Sequence, residues 1–276
     1  MASKYETILT EKKDGIGWIT FNRPEKRNAM SPQLHLDMNE ALDDFALDND
    51  VQVLVITGAG KAFCAGQDIR EYFRGTADDA KAKAKASQAS RSWRWRKLSA
   101  FPKPTIAMIN GFCFGGAFTQ VSACDFAVAA NDAIFGLSEV NWGIIPGGIV
   151  SWNIVEMMTF RDAMYYALTG DTFTGKEAAQ MKFITKAVPK AKLRSETVAL
   201  AKKMMRKSPA AVRSTKEAVR AVRYMSVDQA EDYLMSKFNA LEAIDKERSK
   251  HKGMKQFLDD KTYRPGLGEF DRSKKL

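Results

Sequence analysis

The run "VQVLVITGAG", residues 51 to 60, constrains the fold more than any other stretch. It is a nearly unbroken set of branched apolar residues ending in a glycine turn. It follows a segment, 32 to 48, in which Leu34, Met38, Leu42 and Phe45 recur at three- and four-residue spacing, which predicts a helix. Before that helix, "GWITFNRP" (17 to 24) alternates Trp18, Thr20 and Asn22 against Ile19, Phe21 and Arg23, a strand stopped at Pro24. Strand, helix and a second strand apolar on both faces require a crossover connection. The sheet is therefore expected to be parallel and covered on both sides.

The same grammar recurs downstream. "KPTIAMINGFCFGGAF" predicts a strand from Thr105 to Ile109, then glycines at 111, 115 and 116, then a helix in "FTQVSACD". "FAVAA" and "AIFGL" predict further strands, and "NIVEMMTFRDAMYYALTG" predicts a single helix stopped by Gly170. From about residue 191 the chain turns helical, and "KGMKQFLDDKTYRPGLGEF" reads as a short helix with a Pro/Gly-rich tail. The fold class is α/β, with a core over residues 1–190 and a helical C-terminal part over 191–276.

Bulk properties exclude several classes. No run reaches the roughly eighteen uncharged apolar residues of a membrane helix, and "MASKYETILTEKKDG" has no signal-peptide pattern, so a cytoplasmic protein without membrane association is expected. Cys64, Cys113 and Cys124 form neither a CxxC motif nor an even set and read as buried thiols. The net charge of +10, from 43 Lys and Arg against 33 Asp and Glu, suits nucleic acid, an anionic membrane or a polyphosphorylated small ligand. The densest basic run, "KAKAKASQASRSWRWRKL" (81 to 98), alternates Lys with Ala as a solvated helix does; it lacks the single basic stripe of a nucleic-acid helix.

Two glycine-bearing turns follow strands: "FCAGQDI" (63 to 69) and "GFCFGGAF" (111 to 118). Unpaired N–H groups at two such turns, aimed at one point, make an oxyanion hole; otherwise the turns are tight connections. Neither is a dinucleotide-binding or phosphate-loop motif. The two histidines, His35 and His251, lie far apart in polar helical settings and read as surface residues, so a Ser-His-Asp mechanism or a His-rich metal site lacks parts. Acid–base work by carboxylates remains, and "IFGLSEVNWGIIPGG" (134 to 148) carries one carboxylate, Glu139, among apolar residues and glycines.

The ordered set "NRPEKRNAMS", "FCAGQDIREY" and "KPTIAMINGFCFGGAFTQ", followed by "FGLSEVNWGIIPGG", resembles the crotonase (enoyl-CoA hydratase/isomerase) superfamily from about residue 6 to 260. The resemblance implies a spiral of repeated ββα turns, a homotrimer or dimer of trimers, and an acyl-CoA substrate whose phosphates match the positive charge. No metal or redox cofactor is implied. The backbone amides of Gln67 and Gly116 then hold the thioester oxygen. Lys26, Ala65, Ile69, Ser138 and Trp142 fall at coenzyme A contacts, and Phe257 at the nucleotide end.

The departures narrow this further. Ordinary hydratases of the superfamily carry two glutamates; here Thr119 stands at the first position and Glu139 at the second. That pattern, with "EYFR", "EDYL" and "GMKQFLDDK", is similar to the hydroxycinnamoyl-CoA hydratase-lyases, which convert feruloyl-CoA to vanillin and acetyl-CoA in hydroxycinnamate catabolism. Tyr72 matches one of two tyrosines expected to hold the ring hydroxyl. Met235 stands at the other, and Tyr233, two residues away on a helix, points about 200° around. Gln67 stands where methionine is usual, a change that should not matter to its backbone amide. The competing expectations are a single-glutamate enoyl-CoA isomerase or hydratase, and a non-catalytic RNA-binding member of the fold.

Overall fold

A computed structural model describes residues 4–264 and 266–276. The first three residues of the N-terminal stretch read above, and Pro265 in the tail, lie outside the described residues. The chain forms two units: residues up to 101 together with 105–198, and residues 102–104 together with 199–276.

In the first unit the elements run β1 (Ile8–Lys13), β2 (Ile16–Phe21), α1 (Pro32–Leu47), β3 (Val53–Gly58), β4 (Ala62–Cys64), α2 (Ala80–Arg91), β5 (Thr105–Ile109) and β6 (Phe112–Phe114). They continue as α3 (Ala117–Ala123), β7 (Phe126–Ala130), β8 (Ile134–Gly136), α4 (Val150–Met157), α5 (Phe160–Thr169), β9 (Thr172–Thr174), α6 (Gly175–Gln180) and β10 (Lys186–Val188). The division between units falls within α7 (Leu193–Met205), after which come α8 (Pro209–Val222), α9 (Val227–Ile244) and α10 (Ser249–Leu258).

From β3 to β8 successive strands alternate between two sheets. β2, β3, β5, β7 and β10 are neighbours in a six-stranded sheet, parallel throughout except for the antiparallel β1 at its edge. β4, β6 and β8 form a second, parallel sheet closed by antiparallel β9. The pairs β3 and β4, β5 and β6, β7 and β8 are thus three turns of one spiral, each followed by helix. β3 is buried along its whole length, as its apolar run requires. Phe118, Phe135, Phe173 and Phe183 fill the space around the smaller sheet, with Phe135 and Phe173 stacked across β8 and β9 at 5.4 Å.

One expected helix is two. The segment 153 to 170 breaks after Met157 because Thr159 takes an extended conformation and its side chain accepts the amide of Asp162, capping a new helix. Gly170, with φ of 69°, ends that second helix as expected. In the second unit α8 packs on α9, and Glu217 of α8 pairs with Lys237 of α9. No helix among the described residues is long and apolar enough to cross a membrane.

Candidate active site

Three turns leave the same end of three adjacent strands. β4 runs into Ala65–Gly66–Gln67, β6 into Gly115–Gly116, and β8 into Leu137–Ser138–Glu139, and these strands are parallel neighbours. The Gly115 amide donates to Gly136 O at 2.9 Å, binding the second turn to the third strand. Gly66, with φ of +92°, brings the first turn close: a Cβ there would stand 3.0 Å from Phe114 O and 3.4 Å from Gly116 N. The amides of Gln67 and Gly116 donate to no acceptor among the described residues. Two unspent donors on adjoining turns are the geometry an oxyanion hole needs.

The turn carrying Gln67 is held from below. Met30 N donates to Gly66 O at 2.8 Å and Asp68 N donates to Met30 O at 3.0 Å, so residues 66–68 lie beside Met30 as a short bridge. Arg23, itself buried, donates to Asp68 at 2.9 Å and to Ala29 O at 2.6 Å, which locks the "NRPEKRNAM" turn against the turn that carries Gln67. Asn28 completes the anchor by donating to Ala59 O and Ala62 O.

His35 is a correction to the surface reading: it is fully buried. Trp93 Nε1 donates to His35 Nδ1 at 2.9 Å, and His35 Nε2 lies 2.9 Å from Gln67 Oε1. An indole N–H can do nothing but donate, so Nδ1 carries a lone pair and Nε2 carries the proton. Gln67 must then face His35 with its oxygen and donate its Nε2 to Ser90 Oγ at 3.1 Å. The opposite amide orientation would reach Met30 O and Arg94 but leave His35 accepting at both nitrogens, which a neutral imidazole cannot do. The Gln67 side chain is therefore part of a chain from Trp93 to Ser90. His251, by contrast, is exposed as expected.

Burial and the Arg94 charge push His35 down to about 3, so it is neutral in the folded protein at physiological pH. The unfolded chain takes up a proton below about pH 6.5 while the native state refuses it, so stability is full above that pH and declines as pH falls. Between pH 6.5 and 5 the loss should be ~2 kcal/mol from this residue. Urea unfolding at both pH values checks it: His35→Gln, which can accept from Trp93 and donate to Gln67, should remove that part of the slope. An unchanged slope in the variant would refute the assignment.

Glu139 opens a single 3₁₀ turn, Glu139–Trp142, that closes at Gly143 with φ of 70°. Its carboxylate lies against the second turn: a Cβ on Gly115 would stand 2.8 Å from Oε1. The other oxygen, Oε2, is buried with no partner among the described residues. Burial raises the Glu139 carboxyl above the ordinary carboxylate range, opposed by its own backbone amide and by the charge of Arg94. Thr119, on the first turn of α3, is buried, and its hydroxyl accepts from Arg94 Nη2 at 2.9 Å. Thus Glu139, Thr119, Gln67 and Gly116 are brought to one place by the smaller sheet.

Of the other expected residues, Tyr72 is half-buried on the π-helical turn Ile69–Arg74, its ring edge-on to His35 at 5.4 Å. Ala65, half-buried, donates its amide to Arg27 O; Ile69 and Trp142 are exposed, Ser138 is half-buried, and Lys26 is exposed on the turn after Pro24. Tyr233, Met235 and Phe257 belong to the second unit. There Lys237 lies over the half-buried Tyr233 ring, and Met235 and Phe257 are exposed. The residues missed by sequence reasoning are His35, Ser90, Trp93 and Arg94. Cys64, Cys113 and Cys124 are buried thiols, and burial pushes Cys64 up to about 12, too high for a nucleophile.

Comparison with known proteins points to one family. The chain is 43% identical over 270 residues to the hydroxycinnamoyl-CoA hydratase-lyase of Pseudomonas fluorescens, covering 98% of each. It is 32% identical over 256 residues to a probable mitochondrial enoyl-CoA hydratase of Dictyostelium discoideum, covering 93% of this chain and 89% of that one. Its fold matches the crystal structure of an enoyl-CoA hydratase subunit I from Geobacillus kaustophilus HTA426 with a TM-score of 0.84 and 30% identity, over 95% of this chain and 98% of the other. A model of the enoyl-CoA hydratase/isomerase family matches residues 11–264, and with the spiral of ββα turns and the paired amide turns this places the chain: it belongs to the enoyl-CoA hydratase/isomerase family.

Proposed function

We propose that this protein hydrates the double bond of a 4-hydroxycinnamoyl-CoA thioester such as feruloyl-CoA and cleaves the product to an aromatic aldehyde and acetyl-CoA. The observation that carries the reading is a lone carboxylate at the site. Glu139 stands against Gly115, while the place of a second glutamate is taken by the Thr119 hydroxyl. The near full-length likeness to a hydroxycinnamoyl-CoA hydratase-lyase supports it.

The chemistry suits one proton shuttle. The thioester oxygen accepts from the Gln67 and Gly116 amides, and the ring 4-hydroxyl, conjugated with the enoyl system, gives access to a quinone-methide-like species whose β-carbon is electrophilic. Water adds there, losing a proton to Glu139, which returns it to the α-carbon. In the second step Glu139 takes the β-hydroxyl proton and the bond between the α- and β-carbons breaks. The electron pair forms the acetyl-CoA enolate in the amide pair, and Glu139 protonates it. One water is consumed, both steps are redox-neutral and each proton passes through Glu139, so the steps as written use neither a redox cofactor nor a metal.

Tyr72 is assigned to the ring hydroxyl, and Met235 and Tyr233 are the other candidates for ring contact. Lys26, Ala65, Ile69, Ser138, Trp142 and Phe257 are assigned to coenzyme A. Exposed Ile144 and Ile145 supply apolar surface suited to a homotrimer or a dimer of trimers, in the cytoplasm.

The test is direct. Purified protein given feruloyl-CoA should release vanillin and acetyl-CoA in equal amounts as the thioester chromophore disappears. Faster turnover of crotonyl-CoA with no aldehyde from feruloyl-CoA would overturn the reading in favour of a hydratase or isomerase, with Met235 the first suspect.

A further inference from the structure

The basic run from 81 to 98 conceals one arginine unlike the others. Arg91 and Arg96 are exposed and Lys97 pairs with Asp43, whereas Arg94 is 6% exposed. It sits in the π-helical turn Ser92–Lys97, where consecutive Trp93 and Arg94 both face inward. Arg94 Nη2 donates to Gly116 O at 3.0 Å and to Thr119 Oγ1 at 2.9 Å, and Nη1 donates to Ser90 Oγ at 3.2 Å. Nε is buried without a partner, and no carboxylate lies within ion-pair distance among the described residues. A buried guanidinium lacking a counter-ion is costly, and an apolar side chain of similar volume would fill the space more cheaply.

The charge stands opposite the one carboxylate of the site. A Cβ on Gly115 would meet Glu139 Oε1 at 2.8 Å, and a Cβ on the next residue, Gly116, would meet Arg94 Nη2 at 3.4 Å. The two glycines separate a buried cation from a half-buried anion, and each of those groups keeps an unpartnered atom, Arg94 Nε and Glu139 Oε2. Because Thr119 Oγ1 accepts from Arg94, its hydroxyl proton is left to donate, and it has no acceptor among the described residues.

We propose that Arg94 is a positioning residue for this site, fixing the Thr119 hydroxyl as a hydrogen-bond donor and setting a permanent positive charge behind the Gly115–Gly116 turn, opposite Glu139. The inference deepens the reading of Glu139 as proton shuttle and rests on it. The consequence is a site that is cation-backed where a second glutamate would make it anionic, which favours substrates that gather negative charge during reaction. Arg94 also keeps Glu139 more ionised than burial alone would allow. The turn bearing Glu139 packs against α5, whose titratable groups are Arg161, Asp162, Tyr165 and Tyr166, with Asp171 just beyond. Asp162 bonds Thr159 and Tyr165 bonds Asp171. From the other side Arg94, Cys64 and Tyr72 face the site, and Arg94 is the charged group that acts on Glu139.

The experiment uses Arg94→Met and Arg94→Gln in the full chain. Both should lower kcat for feruloyl-CoA by about 10- to 100-fold with KM changed less than about threefold. Both should move the acid limb of the rate profile upward by roughly half to one pH unit, and Arg94→Lys should leave the limb in place. The 13C titration of the Glu139 carboxyl, assigned by its loss in Glu139→Gln, should move upward by the same amount without any substrate present. A merely structural role would lower the thermal midpoint while leaving limb and titration where they are. If no vanillin forms but the titration moves, the lyase reading falls and the Arg94 inference stands. If vanillin forms and neither limb nor titration moves in the two neutral variants, the inference falls.

Discussion

Replacing Glu139 by Gln is expected to lower turnover of feruloyl-CoA by about 10³-fold, the range of a lost general acid–base group, with little change in KM. The amide keeps the shape and the contact with Gly115 but cannot carry a proton between water and the α-carbon. No neighbour can stand in. Thr119 does not exchange protons near neutral pH, and Arg94, held at about 10 by burial, stays charged there. Stability should hold or rise, because Glu139 Oε2 is buried without a partner and the variant removes the charge that burial disfavours. The sign of the pH dependence follows. Burial raises the Glu139 value, so the active carboxylate is lost as pH falls, beginning at a higher pH than for an ordinary glutamate, and activity should fail on that acid limb. Steady-state kinetics with a thermal melt decides the matter: less than a tenfold drop in turnover would remove Glu139 from the mechanism.

The elements that are half or wholly apolar by a clear period were legible in the chain. The strand Thr105–Ile109 and the strand in "FAVAA" stand where expected, and the helix after Ser31 runs from Pro32 to Leu47. The glycine turns were legible too, because glycine with positive φ leaves a mark in the sequence where backbone must approach backbone, as at Gly66 and Gly115. What could not be read was polar burial. His35 sits among helix residues whose apolar neighbours suggest a face, but its burial depends on Trp93, fifty-eight positions later, and on Gln67. Arg94 lies in a run of cations that looks uniformly solvated, and the π-helical turn that swings it inward has no periodic signature. The break at Met158 is a local event of the same kind: the Thr159 side chain caps the next helix, yet threonine is also an ordinary helix-interior residue.

Gly66→Ala is expected to have the second large effect, and through geometry alone. At φ of +92° an alanine is strained in any surroundings, and here its Cβ would meet Phe114 O at 3.0 Å, a backbone atom of β6 that cannot swing aside. The two amide turns must move apart, and the same Cβ would stand 3.4 Å from Gly116 N, one of the two amides proposed to hold the thioester oxygen. Losing one such donor typically costs about 10²- to 10³-fold in kcat, and a drop of that size is expected per folded molecule. Stability should fall by about 1–3 kcal/mol from the strain. Gly60→Ala separates the two effects. Gly60 also has positive φ, +71°, and its Cβ would meet only the Pro24 side chain, at 3.2 Å. That variant should lose stability while keeping its activity per folded molecule. Measuring both against active-site concentration makes the comparison decisive, because strain alone predicts equal residual activity for the two. An oxyanion hole formed where the first two turns meet predicts that Gly66→Ala alone is inactive.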